Sequence, residues 1–371
     1  MASLRRRITW TVLAVFGFAI MAFTYALSHE TACEPAPALA AGTETMQAIV
    51  RRCYGPPEVL ALEEVARPAP ADGEILVKVR AASINPADWH FIRGAPYVIR
   101  LDFGLGAPGN PRVGIDFAGT VAAVGRNVTK FQVGDEVFGG KNGALAEYLT
   151  MSEDGNLAAK PDGISFEQAA AVNVAGLTAL QTLRDRAGLK PGQKVLINGA
   201  SGGVGTFAVQ IAKSLGAEVT GVCSTRNLEL VSSLGADHVI DYTREDFTQG
   251  ERQYDVVMDN VANRGLLEVR RVLKPDGKLI LIGGGGPDAS PWIGAFKAPI
   301  KALVISWFVD QDMAMFISHH SAEDLATLAG MMQSGALRPV IDRAYPLAET
   351  AEAMRYLETG RARGKVIVRM P

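Results

Sequence analysis

The feature that most constrains the fold is a glycine-rich turn between an apolar run and an amphipathic segment, within residues 195–216. The apolar run at 195–197 is bounded by glycines and predicts a buried parallel strand. Apolar residues then recur at helical spacing up to Gly216, where a helix C-cap belongs. This order of strand, turn and helix start suits a dinucleotide pyrophosphate, because small residues admit the phosphates and the helix N–H groups attract anions.

The turn reads A-x-G-x-x-G, with alanine where the usual fingerprint has its first glycine. By itself the pattern also fits a plain tight turn. A second predicted strand at 218–223 directly follows the helix and completes a β-α-β unit, which favours dinucleotide binding. The residues expected to hold the pyrophosphate are Ala200, Ser201, Gly202, Gly203, Val204 and Gly205.

Length, charge and cysteine content narrow the class of protein. The chain has 371 residues, which suits two domains, and its 48% hydrophobic and 20% charged residues are typical of a globular protein. Its net charge of -2 provides no basic field, so no nucleic-acid partner is predicted. The three scattered cysteines, Cys33, Cys53 and Cys223, are too few for a disulfide framework.

The N-terminal segment is distinct from the rest of the chain. Three arginines at 5–7 precede an uncharged run at 8–27, which has the length of a bilayer-spanning helix. We therefore predict a single membrane anchor, with the side of the membrane unresolved, because the flanking charges favour an extracytoplasmic enzyme but nicotinamide cofactors are scarce there. Two alternatives stay open: a signal peptide cleaved after 38–40, giving a secreted protein, and a true start at Met46.

The remaining chain changes its pattern twice. Short strands with glycine and proline turns up to residue 165 indicate an irregular, mostly β domain, and alternating strands and helices then indicate a parallel sheet with helices on both faces. We predict that the C-terminal tail returns to the first domain. The predicted α/β chain is divided into an anchor at 1–30, a linker at 31–45, a first domain at 46–165, a cofactor domain at 166–318 and the returning tail at 319–371.

Four further motifs give the chain from residue 46 onward a family likeness. They are A-S-I-N-P-A-D at 82–88, G-I-D-F-A-G at 114–119, V-G-D-E-V at 133–137 and A-G-L-T-A at 175–179. With the glycine turn they resemble the medium-chain dehydrogenase/reductase superfamily, in particular its zinc-independent, quinone-oxidoreductase-like branch. The resemblance implies a Rossmann doubly wound parallel sheet inserted into a GroES-like substrate domain, with the active site in the cleft between them. It also implies a possible homodimer, paired edge to edge near residues 314–317.

The expectation for metal follows from the ligand positions of that superfamily. Zinc-dependent members carry a Gly-His-Glu motif, and the matching residues here are Gly114, Ile115 and Asp116. The histidine ligand is therefore missing, and no cluster of four cysteines occurs. Because catalytic zinc needs at least three protein ligands, we predict no metal.

The end of the second strand bears on the choice of cofactor. An acid there binds the ribose of NAD and would repel a 2′-phosphate. This chain has Ser224, Thr225 and Arg226 instead, which predicts NADPH unless Arg226 is only a solvated surface residue. The resemblance implies further cofactor contacts at Thr178, Tyr242, Gly283, Gly284, Arg363 and Lys365. The last two fit surface charges equally well.

Without zinc, other groups must stabilise charge on a substrate oxygen. The resemblance places Asn85 and Asp88 in the cleft, where Asn85 would orient substrate or ribose and Asp88 would move a proton. Tyr97 is a further candidate donor, because a phenol can stabilise a developing oxyanion. A structural role stays open for both, with Asn85 as a cap and Asp88 paired with Arg93.

These residues predict an NADPH-dependent oxidoreductase that transfers hydride to a quinone, enone or enal without zinc. The alternative enzyme is a zinc-independent, NADP-dependent alcohol or aldehyde dehydrogenase. An alternative of another class is a membrane-tethered NADPH-binding sensor or interaction protein with little turnover. The expected partners are a small-molecule substrate and the membrane, through residues 8–27.

Overall fold

A computed structural model describes the backbone of residues 2–371 and their side chains, apart from the side chains of residues 2–9, 12 and 295. The helices are α1 (Ala2–Ser28), α2 (Pro86–Arg93), α3 (Arg100–Phe103), α4 (Phe166–Ala170), α5 (Asn173–Gln181), α6 (Gly203–Ser214), α7 (Leu228–Ser233), α8 (Leu266–Val269), α9 (Lys297–Ser306), α10 (Ala322–Gln333) and α11 (Thr350–Glu358). The strands are β1 (Thr45–Arg51), β2 (Leu60–Ala66), β3 (Glu74–Ile84), β4 (Asp116–Val124), β5 (Glu136–Gly140), β6 (Tyr148–Ser152), β7 (Leu157–Ala159), β8 (Lys194–Asn198), β9 (Glu218–Cys223), β10 (His238–Asp241), β11 (Tyr254–Asp259), β12 (Leu273–Leu281), β13 (Asp312–Met315), β14 (Ile341–Pro346) and β15 (Lys365–Arg369).

Strands β8 to β13 form the predicted Rossmann-type sheet. The six strands are parallel and follow the order β10-β9-β8-β11-β12-β13. The apolar run in β8 is fully buried, because helices cover both faces of a parallel sheet. The chain order reverses between β8 and its neighbour β11. Ligands of such sheets bind at the carboxyl ends of the strands, beside this switch point.

The second large sheet is built mostly from antiparallel strands. Its seven strands include the path β14-β15-β3-β4-β5-β7, with β6 pairing with β3. The C-terminal strand β15 is antiparallel to β3, with Val366 opposite Ile84. The last two strands of the chain therefore complete the sheet that β3 begins, and the Rossmann-type sheet lies between them in sequence, while β1 and β2 pair in a separate two-stranded sheet.

The start of β15 joins the two sheets at the glycine turn. Gly364 forms a β-bridge with Gly202, and its N–H donates to the Ser201 carbonyl oxygen at 2.9 Å. Its φ is +90°, and a Cβ there would lie 2.3 Å from the Val340 carbonyl oxygen. Only glycine fits this close approach, which sets the turn beside the first residues of β15.

The N-terminal segment differs from its prediction. Among the described residues, no helix combines the length and the apolar character that a bilayer span requires. The membrane anchor, the membrane partner and the membrane localisation predicted from residues 8–27 are therefore wrong. The side chains at 5–7, on which the predicted orientation depended, lie outside the described residues.

The end of α1 packs against the protein instead. Leu27 is buried, and the buried Arg100 donates to the carbonyl oxygens of Leu27 at 3.1 Å and His29 at 3.2 Å. A disulfide also joins Cys33 to Cys53, with the Cα atoms 4.6 Å apart, although the cysteine count argued against a disulfide framework. These contacts fix the residues after α1 to α3 and to the segment that follows β1.

Candidate active site

The glycine turn has free donors and open space. Helix α6 begins at Gly203, and no side chain caps its N-terminus. In the described backbone, the N–H groups of Val204 and Gly205 have no backbone acceptor. A Cβ at Gly202 would meet only the Gly199 carbonyl oxygen, at 3.4 Å. Such an open, positively polarised helix start fits a dinucleotide pyrophosphate.

The alanine in the fingerprint has a structural explanation. Gly199, one residue earlier, adopts the left-handed conformation with φ +77°, so Ala200 does not need it. Ala200 is fully buried, and Gly221 on β9 leaves room for its methyl group. A Cβ at Gly205 would lie 2.1 Å from the Gly199 carbonyl oxygen, so this glycine allows α6 to pack closely on the turn.

The residues predicted to select the cofactor follow β9. Arg226 is exposed, and its guanidinium donates to the carbonyl oxygen of Arg361 at 2.5 Å. The Thr225 hydroxyl is bound to Asp241 at 2.6 Å, and this hydrogen bond holds the pKa of Asp241 below its usual value. Sequence reasoning missed Asp241, because this acid comes from the neighbouring strand β10. The candidate 2′-phosphate site is therefore bordered by the Arg226 guanidinium and by the Asp241 carboxylate, which accepts a hydrogen bond from Thr225.

The other residues predicted to contact the cofactor are dispersed along the cleft. The Ser201 and Ser224 hydroxyls both accept hydrogen bonds from Asn227, at 2.9 and 3.3 Å. Tyr242 and Arg363 are exposed. The structure therefore brings the two serines together and leaves the last two side chains at the surface.

The carboxyl edge of the sheet carries the remaining predicted contacts. The Thr178 hydroxyl donates to the Val174 carbonyl oxygen at 2.6 Å and lies 3.0 Å from the Ser318 hydroxyl. Gly283 and Gly284 follow β12, and a Cβ at Gly283 would lie 2.5 Å from the Asn260 carbonyl oxygen. Sequence reasoning missed Asn260, whose buried Oδ1 has no partner in the structure as described.

A buried polar cluster adjoins the turn, with Asp116 at its centre. Asp116 is fully buried at the start of β4. Its carboxylate accepts hydrogen bonds from Ser83 Oγ (2.9 Å), Asn85 Nδ2 (3.0 Å), Asn173 Nδ2 (2.8 Å), the Val174 N–H (3.2 Å) and Lys365 Nζ (3.3 Å). Burial of this carboxylate is compensated by five donors, one of them cationic.

Lys365 is part of this cluster and is not a surface charge. Its side chain is 3% exposed, and Nζ donates to Asn85 Oδ1 as well as to Asp116. Its Cδ would lie 3.2 Å from a Cβ on Gly203. The ammonium group of Lys365 therefore belongs to the buried cluster, while the middle of its side chain lies beside the glycine turn. Its predicted contact with the cofactor stays a prediction.

Asn85 and Asp88 are linked at the start of α2. Asp88 Oδ2 accepts the Asn85 N–H at 2.7 Å, while both polar atoms of the Asn85 amide are bound to Lys365 and Asp116. Arg93 pairs with Glu358 at 2.8 Å, so the alternative Asp88–Arg93 pair is wrong. Burial raises the pKa of Asp88 to about 7, although the Asn85 N–H opposes the shift. Asp88 can therefore exchange a proton near neutral pH.

Tyr97 connects the substrate side of the cleft with the segment after β12. Its ring lies edge-on to Trp292 at 4.9 Å, and its N–H donates to the Pro291 carbonyl oxygen at 2.7 Å. The guanidinium of Arg100 lies 4.4 Å from the centre of the same ring. Tyr97 is thus held between Trp292 and Arg100, on a different element from Asp88, and its catalytic role stays a prediction.

The donor set at the predicted ligand positions does not suit zinc. In the described part of the chain, no three His, Cys, Asp or Glu side chains are grouped to hold a metal ion. Ile115 is apolar and buried, and the Asp116 carboxylate is already bound to five donors, including the Lys365 ammonium. No step of the chemistry below therefore passes through a metal.

The fold and this site define an oxidoreductase that uses a nicotinamide cofactor. Two family descriptions match: "Alcohol dehydrogenase GroES-like domain" over residues 71–162 and "Zinc-binding dehydrogenase" over residues 234–368. The chain belongs to the medium-chain dehydrogenase/reductase superfamily, as the motifs predicted.

Individual relatives agree with this assignment. The chain is 33% identical to quinone oxidoreductase of Sus scrofa over 343 residues, which cover 89% of this chain and 99% of that protein. It is 35% identical to 2-methylene-furan-3-one reductase of Solanum lycopersicum over 358 residues, covering 92% and 84%. The solved structure of the quinone oxidoreductase from Coxiella burnetii has a TM-score of 0.77 and 29% identity, covering 88% of this chain and all of that one.

Proposed function

We propose that this protein uses NADPH to reduce a quinone, an enone or an enal without zinc. The observation that carries the proposal is the buried cluster of Asn85, Asp88, Asp116 and Lys365 beside the glycine turn. Two of the relatives described above are a 2-methylene-furan-3-one reductase and a quinone oxidoreductase, and both names refer to conjugated carbonyl compounds.

In this proposal, Ala200 to Gly205 and the start of α6 hold the pyrophosphate, and Thr178, Gly283 and Gly284 lie near the nicotinamide. When bound, a nicotinamide would supply hydride for an electron-poor carbon of the substrate, and negative charge would then develop on the conjugated oxygen. Asp88 gives its proton to the reduced substrate and is reprotonated from water. Tyr97 donates a hydrogen bond to the developing oxyanion. Asn85 acts as a positioning residue, because its own polar atoms are already bound.

The test is NADPH oxidation by purified protein with quinones, enones, enals and saturated aldehydes. We expect turnover of the conjugated substrates, and no loss of rate after dialysis against a chelator that removes zinc. Turnover of aldehydes alone would favour the alcohol or aldehyde dehydrogenase alternative. Activity that disappears with the chelator and returns with added Zn²⁺ would refute the metal-free proposal.

Arg226 is proposed to select NADPH through its 2′-phosphate. Replacing Arg226 with Gln is expected to weaken NADPH binding about ten- to a hundredfold, since a charge-assisted hydrogen bond contributes about 1.5–3 kcal/mol. NADH affinity should change little. Fluorescence titration of both cofactors measures this, with R126Q as control because Arg126 is 85% exposed and pairs with Asp72. Equal affinity of the wild-type protein for NADPH and NADH would contradict the assignment.

A homodimer through β13 remains a proposal. β13 ends the path of the six-stranded sheet, so its outer edge is available to a second copy. Sedimentation velocity is expected to show a species of twice the chain mass of 39.4 kDa. A single species of 39.4 kDa at micromolar concentration would exclude the dimer.

A further inference from the structure

A small pocket next to Asp88 contains two arginines that the proposed chemistry does not use. Its cavity is only about 30 Å³, enough for one small group, and it opens to solvent. Arg51, Asp88, Asn110, Arg112 and Asn142 contribute its polar lining, and Phe91 and Phe103 contribute apolar walls. Asn110 and Asn142 are exposed at the mouth, whereas Asp88 and Arg51 are buried.

The backbone brings the two arginines together from distant parts of the chain. Val50, at the end of β1, forms an isolated bridge with Arg112. The Arg51 N–H donates to the Pro111 carbonyl oxygen at 2.7 Å. Arg51 and Arg112 therefore lie on adjacent extended segments, and both line the same pocket.

Neither guanidinium forms an ion pair with a carboxylate in the described part of the chain, although Arg51 lies 5.2 Å from the centre of the Tyr54 ring and shares its pocket with Asp88, whose charge acts on it. Within the described side chains, Arg51 and Arg112 take part in no ion pair. Arg51 is only 3% exposed, it donates to the Phe91 carbonyl oxygen, and its buried Nε has no hydrogen-bond partner. Because the buried Nε of Arg51 stays unpartnered and no carboxylate among the described residues is hydrogen-bonded to either arginine, an anion from outside would be favourable in this pocket.

The position of Arg112 is also defined. Gly143 has φ +95°, and a Cβ there would lie 3.2 Å from Arg112 Cβ and 3.3 Å from its Nε. The loop containing Gly143 is bound to the segment just before β4, since the Gly143 N–H donates to the Gly114 carbonyl oxygen at 2.9 Å. The Arg112 side chain is therefore packed against the backbone of a fixed loop.

We propose that this pocket binds a carboxylate group of the substrate, so that the cleft prefers anionic enones or quinones to neutral ones. The inference rests on the proposed function, because it assigns the charge of the molecule being reduced. A planar carboxylate matches the fork of a guanidinium and can accept two parallel hydrogen bonds from it.

Two features of the pocket support a carboxylate over a purely inorganic anion. The rings of Phe91 and Phe103 stack at 4.4 Å and provide an apolar surface for a carbon skeleton. Asp88 joins this pocket to Asn85 and the buried cluster. A carboxylate held here would therefore keep the rest of the substrate near the proposed proton donor.

The test compares trans-4-oxo-2-pentenoic acid with its methyl ester as substrates for NADPH oxidation. The ester is intrinsically the more electron-poor, so a preference for the acid must come from the protein. We expect the ratio of kcat/KM, acid over ester, to fall about ten- to a hundredfold in R112Q. R112K should retain part of the preference, and R126Q, with an exposed arginine, should retain all of it. An equal ratio in wild type and R112Q would overturn the inference.

Two further experiments distinguish a carboxylate of the substrate from a separate small anion, and binding from catalysis. If free acetate alters ester reduction while acid and ester are reduced alike, the pocket takes a separate small anion, and the assignment to the substrate is wrong. Calorimetric titration with 4-oxopentanoate, which has no double bond to reduce, measures binding without catalysis. Tighter binding to wild type than to R112Q, without any NADPH oxidation, would support the subsite and reject the proposed function. Turnover of neutral enones without binding of 4-oxopentanoate would support the proposed function and reject the carboxylate subsite.

Discussion

Replacing Asp88 with Asn is expected to lower kcat/KM for an enone by about 10²–10⁴-fold, the usual contribution of a general acid. The reason is the match between its pKa, raised by burial to about 7, and neutral pH. An amide keeps the oxygen that accepts the Asn85 N–H, but it has no proton to give. Initial rates of NADPH oxidation between pH 5 and pH 9 measure the effect. In the wild-type protein, kcat/KM should fall as the pH rises above about 7, and D88N should lack this limb.

The matched control is Asp276→Asn, an exposed acid in β12. It should leave the rate and the pH profile unchanged. Wild-type kinetics in D88N, or an unaltered limb above pH 7, would remove Asp88 from the mechanism.

Asp88 should also leave a signature in the pH dependence of stability. The pKa of Asp88 is about 7 in the folded protein and 3.8 for an ordinary aspartate, the value expected in the unfolded chain. Between these two pH values the folded state therefore binds one more proton than the unfolded state. Stability therefore falls as the pH rises from about 4 to about 7, by about 1.4 kcal/mol per unit and up to about 4 kcal/mol in total. Asp116 strengthens this effect, and Lys365 opposes it. Urea unfolding of wild type and D88N at pH 5 and pH 8 isolates it, because D88N should lack this decline; parallel decline in both would contradict the assignment.

The second large effect is expected at Lys365. Replacing it with Met should destabilise the protein by about 3–5 kcal/mol, because Asp116 would remain buried with its cationic partner removed. The side chains of Lys365 and Asp116 are 3% and 0% exposed, so water cannot substitute for the lost ammonium group. Denaturant unfolding at neutral pH measures the loss.

A double-mutant cycle shows whether the loss comes from this pair. The variant D116N/K365M leaves neither charge unpaired. Its loss in free energy of unfolding should therefore be smaller than the sum of the losses in D116N and K365M. Lys301→Met, at an exposed position of α9, is the control and should change stability little. A loss below about 1 kcal/mol for K365M, or strict additivity in the cycle, would mean that the pair contributes no more than an exposed ion pair.

Local signals explain why the Rossmann-type half could be predicted in detail. The strand predicted at 218–223 is β9, with the same bounds, and the helix after the turn is α6. Apolar periodicity, bounding glycines and helix caps all act over a few residues, so a single sequence contains them.

The partners of the site residues could not be predicted in the same way. Lys365 fitted a surface charge or a cofactor contact, yet it binds Asp116, 249 residues away in sequence. Arg51 gave no signal at all, because an arginine at a strand end is ordinarily solvated. The only hint at Asp116 was an acid within an otherwise apolar strand, and the motif could not say which donors surround it.

The N-terminal apolar run is a case in which a local signal led to a wrong prediction. Its hydrophobicity and length predicted a membrane anchor, but the contacts of Arg100 with Leu27, 73 residues apart, bind the end of α1 to the protein. Backbone periodicity and turn chemistry, which depend on neighbours along the chain, were therefore enough for the order of strands and for the glycine turn. Burial, charge pairing and the contents of the cleft were decided by the tertiary structure, because they depend on which distant segments share a sheet.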